Sequence, residues 1–237
     1  MRELSIIEEI RGELKRRSEP LFKEQSQQFF KEQVKMFGVR TPAVKEIAKD
    51  AFQKIRRMKK REIFALCGAL LRSGQGEEVT IALDWAWRLR THYDARDIEV
   101  FENWLKRYVS NWAACDDLCT HPLGEILVQC SGEVARVRGW ARSENRWVKR
   151  GAAVALIPGL RKGKFLTELF AVCDELMQDE DDLVRKGYGW ALKEAGNANL
   201  KEVFQYVVRN KKKMSRVALR YAIEKMPHEL RRNAMEK

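Results

Sequence analysis

Long apolar runs, cysteine pairs, histidines and strand-like alternation are all scarce in this chain, and each scarcity removes a class of protein. No stretch approaches the roughly 18 apolar residues of a membrane span. The N-terminal MRELSIIEEIRGELKRR is an amphipathic helix pattern with acidic residues and lacks the apolar core of an export signal, so a cytoplasmic protein is expected. The five cysteines (Cys67, Cys115, Cys119, Cys130, Cys173) are odd in number and contain no Cys-x-x-Cys, which argues against both a zinc site and a disulfide framework. The three histidines (His92, His121, His228) do not accompany a serine or cysteine in a pattern that suggests nucleophilic chemistry. The five prolines are dispersed and no Pro/Gly/Ser-rich linker interrupts the chain, so one domain over 1–237 is expected.

Positive charge and helix-forming residues are abundant. Lysine and arginine number 46 against 34 acids, a net charge of +12. Such a surface suits polyanions, chiefly nucleic acid or anionic membrane, although a generally Lys/Arg-rich proteome gives the same excess. The pattern predicts helices over 3–17, 20–36, 42–57, 60–73, 76–91, 95–108, 111–119, 123–130, 133–141, 145–158, 164–178, 182–195, 199–209 and 215–226. Thr41-Pro42, Ser110-Asn111, Ser215 and the acids Asp179 to Asp182 supply helix starts. Short connections point to stacked antiparallel helices. Gly159 to Lys164 imitates a phosphate-binding loop, but its glycine spacing is one short and Phe165 stands where Ser/Thr is needed. The basic runs at 56–61 and 211–213 read as solvated helix ends.

Four segments carry side chains of functional type: Asn111 to Asp116, Asn145 to Arg150, Val184 to Trp190, and Met214 to Arg216. From Asp116 to Arg150 is 34 positions, to Lys186 a further 36, and to Arg216 a further 30. That period is characteristic of helical-hairpin repeats, in which each unit can offer one helix to a shared surface. The expected fold is an all-α, right-handed superhelix of HEAT-like antiparallel hairpins with a concave basic groove.

At 100° per residue, Val184, Tyr188, Ala191 and Ala195 form an apolar stripe. Lys186 and Trp190 lie away from that stripe. Trp190 is then either a ligand contact or packed on a neighbouring repeat. Arg150, with Arg146 and Trp147 nearby, lies opposite Val148, Ala152 and Ala155, and could equally be a solvated arginine face. Asp116 interrupts an otherwise apolar series of Val109, Trp112 and Cys119, a costly place for a carboxylate unless it is paired, solvated or used. Capping, or pairing with an arginine of the next repeat, would also account for it.

A carboxylate beside tryptophans in a basic groove suits N-glycosidic hydrolysis. The carboxylate can stabilise an oxocarbenium-like sugar, and aromatic faces attract the same charge and exclude water. A base alkylated at a ring nitrogen is already cationic and leaves neutral, so no general acid is required. These residues fit the chemistry without singling it out.

Trp112-Ala-Ala-Cys-Asp116, Trp147-Val-Lys-Arg150, Arg185-Lys-Gly-Tyr-Gly-Trp190 and, upstream, Phe37-Gly-Val-Arg-Thr-Pro42 together resemble the AlkD-like DNA alkylation-repair glycosylases, in order over about residues 10–226. The resemblance implies a HEAT-like superhelix that excises N3- and N7-alkylated purines from duplex DNA, with no metal or other cofactor and no pocket for the lesion base. It implies Asp116 as the catalytic carboxylate, with Trp112 and Trp190 holding the lesion-bearing backbone. Arg150 is implied near the lesion. Lys186, Arg216, Trp147 and Arg40 are implied as further DNA contacts. The adjacent Asp117 leaves the choice of carboxylate open, and the four-residue step from Trp112 favours Asp116. A monomer acting on alkylated duplex DNA, with no membrane partner, is expected. A non-catalytic HEAT-like module that binds damaged or branched DNA is the alternative; a protein-binding scaffold would not require a basic residue in each hairpin.

Overall fold

The computed structural model describes residues 2–236, and the described chain is all α-helical with 3-10 turns and no strand. In order the helices are α1 (Arg2–Arg16), α2 (Pro20–Gln27), α3 (Thr41–Ile55), α4 (Lys60–Arg72), α5 (Gly76–Arg88), α6 (Asp97–Arg107), α7 (Trp112–Thr120) and α8 (Pro122–Gln129). They continue with α9 (Arg136–Ala141), α10 (Arg146–Val154), α11 (Ile157–Leu160), α12 (Leu166–Leu176), α13 (Asp182–Ala195), α14 (Leu200–Asn210), α15 (Arg216–Ile223) and α16 (His228–Met235). The all-helical expectation holds. Its elements need correction: the helices expected over 76–91 and 133–141 are partly 3-10, α5 ending at Arg88 and α9 starting at Arg136. The helix expected over 20–36 stops at Gln27, and 28–40 is irregular. The helix expected over 145–158 breaks after Val154, and α11 resumes at Ile157 with Pro158 in its first turn. Helix α16 lies beyond the last element expected from periodicity.

Contacts gather into two compact units, one comprising the chain up to Tyr93 with Arg107–Asp117, the other Asp94–Lys106 with the chain from Leu118. In the first unit α1 packs on α3 and α4, and α5 packs on both α3 and α4. Leu14, Ile63, Leu70, Ile81 and Trp85 are fully buried there. The Trp85 indole satisfies its one polar atom by donating to the Ala48 carbonyl at 2.9 Å. Two neighbouring carboxylates are buried with partners. Glu78 takes the fork of Arg11 at 2.9 and 3.0 Å. Glu77 accepts the backbone N–H groups of Phe37, Gly38 and Val39 at 2.9, 2.7 and 3.0 Å, so a side chain of α5 closes an open stretch of main chain.

In the second unit α9 packs on α10 and α12, and α13 contacts α10, α12 and α15. Its start follows the sequence signal: the Asp181 carboxylate caps Leu183 and Val184. Val184, Tyr188, Ala191 and Ala195 are fully buried, as the stripe predicted. The loop that imitates a phosphate site is a tight connection instead. Gly159 lies beneath the Phe165 ring, and Phe165 takes a left-handed φ of 64° just before α12.

Gly189 brings α13 against α15. A Cβ there would stand 2.8 Å from the Ala218 carbonyl oxygen and 2.8 Å from Tyr221 Cβ, both of them close to rigid backbone. Gly189→Ala is therefore expected to destabilise by about 1–3 kcal/mol, as overpacking does. Gly139→Ala serves as control: this helical glycine is exposed with open space around its Cβ position, so alanine should stabilise by roughly 0.5–1 kcal/mol. Urea unfolding of the two variants checks the contrast, and equal midpoints would overturn it.

Candidate active site

Helix α7 begins at Asn111, whose buried side-chain oxygen accepts the Ala114 N–H at 2.9 Å. Its buried face is Ala114, Cys115, Leu118 and Cys119. Trp112 and Asp116, one turn apart, are both half-buried on the shoulder of that face. The carboxylate thus does not interrupt the core stripe itself, a refinement of the sequence reading. Asp117 is turned differently. It lines a cavity of about 290 Å³ together with Phe22, Phe30, Met36, Val44 and Asn111, a set that does not include Asp116.

The Trp112 indole is held by the irregular segment after α2. Its Nε1 donates to the Phe29 carbonyl at 3.2 Å, and the Phe30 ring stacks on it with centroids 5.4 Å apart at 24°. Gln27 braces the same segment by donating to the Glu32 carbonyl at 2.9 Å and accepting the Val34 N–H at 3.0 Å. Phe30 and Gln27 escaped the sequence reading because 20–36 was read as one helix. The adjacent phenylalanines in a glutamine-rich stretch were the available signal.

The basic residues expected on an open face are largely engaged within the protein. Arg150 is buried, 6% exposed, and its guanidinium donates to the Leu183 carbonyl in the first turn of α13. Trp147 is also buried, at 7%, with the Arg146 guanidinium 5.0 Å from its ring centroid. Arg146 pairs with Asp181 at 2.8 Å, and Lys149 pairs with Asp179. So the charged side of α10 meets the acids that begin α13, where a helical wheel gave solvent. The wheel contains no neighbouring helix, and that is the physical reason for the difference. Gly187 makes room for this contact: a Cβ there would lie 3.1 Å from Arg150 Cγ. Lys186 is half-exposed and pairs with Asp182 at 2.9 Å. Trp190, one turn after it, is half-buried. Arg216 is exposed at the start of α15, whose cap is the Ser215 hydroxyl accepting the Ala218 N–H. Arg40 is exposed but forked onto Glu19, with its guanidinium 5.0 Å from the Phe22 ring centroid.

Within the first unit, α7 presents an indole and a carboxylate on one edge; within the second, α13 presents a lysine and an indole one turn apart. A carboxylate next to an aromatic face can stabilise a cationic transition state. Among the described residues no group of three His, Cys, Asp or Glu side chains is arranged to hold a metal, and no helix is long and apolar enough to cross a membrane.

The sequence model of a family described as DNA alkylation repair enzyme matches residues 10–226. No curated protein sequence matches. Among solved structures, the fold is similar to a predicted DNA alkylation repair enzyme from Enterococcus faecalis, with a TM-score of 0.80 over 90% of this chain and 98% of that one at 16% identity.

The burial of Arg150 separates a structural from a binding role. Removing the side chain deletes a charge-assisted hydrogen bond and leaves a void between α10 and α13. Arg150→Ala is expected to destabilise by roughly 1–3 kcal/mol. Arg216→Ala, at an exposed site, should change stability by less than about 0.5 kcal/mol. Thermal unfolding of both tests this, and an Arg150 variant as stable as the parent would return that arginine to the surface.

Proposed function

This chain belongs to the family of DNA alkylation repair enzymes, and on that premise we propose that it is a glycosylase that removes cationic N3- and N7-alkylated purines from duplex DNA. The observation that supports this most directly is the Trp112–Asp116 edge of α7, a carboxylate held one turn from a braced indole. Asp116 is the proposed catalytic carboxylate, and Trp112 and Trp190 are the proposed walls against the deoxyribose. The C1′–N bond breaks with its electron pair passing to the cationic base, which leaves neutral. Positive charge then spreads over C1′ and the ring oxygen, where Asp116 stabilises it. A water oxygen bonds to C1′ and releases its proton, leaving an abasic sugar. Arg216 and Lys186 are proposed to hold phosphates, Lys186 by exchanging Asp182 for DNA, and Arg40 by a similar exchange with Glu19. Arg150 and Trp147, being buried, are proposed to act by setting α10 against the start of α13. The working form is taken to be a monomer with one functional domain.

Asp116→Asn keeps the shape and loses the charge. Base release should fall by about 10²–10³ while folding and duplex affinity persist. Single-turnover release of 7-methylguanine, measured beside filter binding, reads both. Undiminished release would transfer the role to Asp117 or demote the carboxylate altogether. Arg216→Ala should weaken binding to every duplex and lower the salt dependence by about one unit; an unchanged salt slope would remove Arg216 from the interface.

Substrate choice follows from the leaving group. Without a histidine placed as general acid, release of 7-methylguanine and 3-methyladenine is expected, and of uracil or hypoxanthine not, since neutral bases need protonation on leaving. A cationic base needs no Lewis acid either, so activity should survive EDTA. Rapid uracil release would contradict this mechanism. Inactivity on every alkylated duplex, with binding retained, would favour a non-catalytic module for damaged or branched DNA.

A further inference from the structure

Phe29 is 76% exposed, the most exposed of the large hydrophobic side chains among the described residues. Leaving a phenyl ring in water forgoes its burial, so a ring presented there by an anchored backbone calls for an occupant. The backbone that carries the ring is well held. Its own N–H donates to the Ser26 carbonyl at 3.3 Å, its carbonyl accepts the Trp112 indole N–H, and the next residue stacks on that indole. Gln27 pins the far side of the turn at Glu32 and Val34. The backbone is thus fastened on both sides, and only the Phe29 side chain projects. Exposed Gln28, Lys31 and Lys35 flank it in the sequence, groups that suit phosphate and base edges.

We propose that Phe29 stacks on a nucleobase of the bound duplex next to the alkylated nucleotide, making the segment after α2 a substrate-contacting element. The proposal rests on the glycosylase reading for its substrate and deepens it. Aromatic stacking on a base is tolerant of sequence, because every base has a π-face; in a duplex the ring reaches that face by wedging between partly unstacked base steps. The contact couples Phe29 to the placement of Trp112 through one shared backbone carbonyl.

The test compares Phe29→Ala, Phe29→Leu and Phe29→Trp with the parent. Affinity is measured for a duplex carrying 7-methylguanine on a 2′-fluoro-deoxyribose, whose glycosidic bond the fluorine stabilises, and for the same duplex undamaged. Base release is measured on the ordinary 7-methylguanine duplex. Phe29→Ala is expected to weaken lesion binding roughly 5- to 150-fold, the equivalent of about 1–3 kcal/mol per stacked base, with the salt slope unchanged. Phe29→Trp should restore affinity and Phe29→Leu should not. Parental affinity in Phe29→Ala overturns the proposal, as does full rescue by leucine, which would mean simple apolar burial. A lowered unfolding midpoint in Phe29→Ala would mark the ring as structural and overturn it too. If the parent binds duplex but frees no base, the glycosylase reading fails while the Phe29 contact stands or falls on affinity. A parent that binds no duplex overturns both.

Discussion

In the second unit the positions of the candidate residues depend on how closely α13 can approach its neighbours. Gly187 admits the side chain of Arg150, and Gly189 admits the backbone of α15. A larger side chain at either position would push α13 outward from helices whose facing residues are otherwise buried. With Val184, Tyr188, Ala191 and Ala195 committed to the core, the remaining side of α13 carries Lys186 and Trp190. Close packing therefore positions the groups proposed for function, and the Lys-Gly-Tyr-Gly-Trp run is at once a packing device and part of the candidate site.

The first unit relies on polar closure. Glu77 and Glu78 are adjacent on α5, and both are buried with satisfied oxygens. One binds an arginine of α1, and the other gathers three main-chain N–H groups of the irregular stretch before α3. Buried carboxylates of this kind are retained only where every partner is present, because an unpaired one would cost several kcal/mol. The same irregular stretch, nearer α2, holds Trp112. An edge proposed to meet a sugar thus rests on main chain that helix side chains stabilise.

Charge is used internally more than its total suggests. The excess of +12 invites a reading of continuous basic surface, yet Arg146 and Lys149 reach Asp179 and Asp181, Arg161 and Lys225 share the buried Glu194, and Arg40 grips Glu19. Burial pushes the Glu194 carboxyl up, and the two cations outweigh it and hold it below the usual carboxylate range. Exposed pairs such as Arg40 with Glu19 are worth little and exchange readily for phosphate, whereas buried ones do not.

The sequence by itself determined the helical class, the caps at Asn111, Asp181 and Ser215, the buried stripe of α13 and the spacing that places Trp112 and Asp116 on one edge. These are local properties, set by side chains within one or two turns of each other, and periodicity reports them directly. Only the tertiary structure decided that Arg150 and Trp147 are buried, that Asp117 turns to a cavity while Asp116 does not, and that the chain leaves its helix at Gln27 to brace an indole 85 positions away. Each of those outcomes depends on which other helix arrives at a given face, and a helical wheel drawn for one segment contains no information about its neighbours.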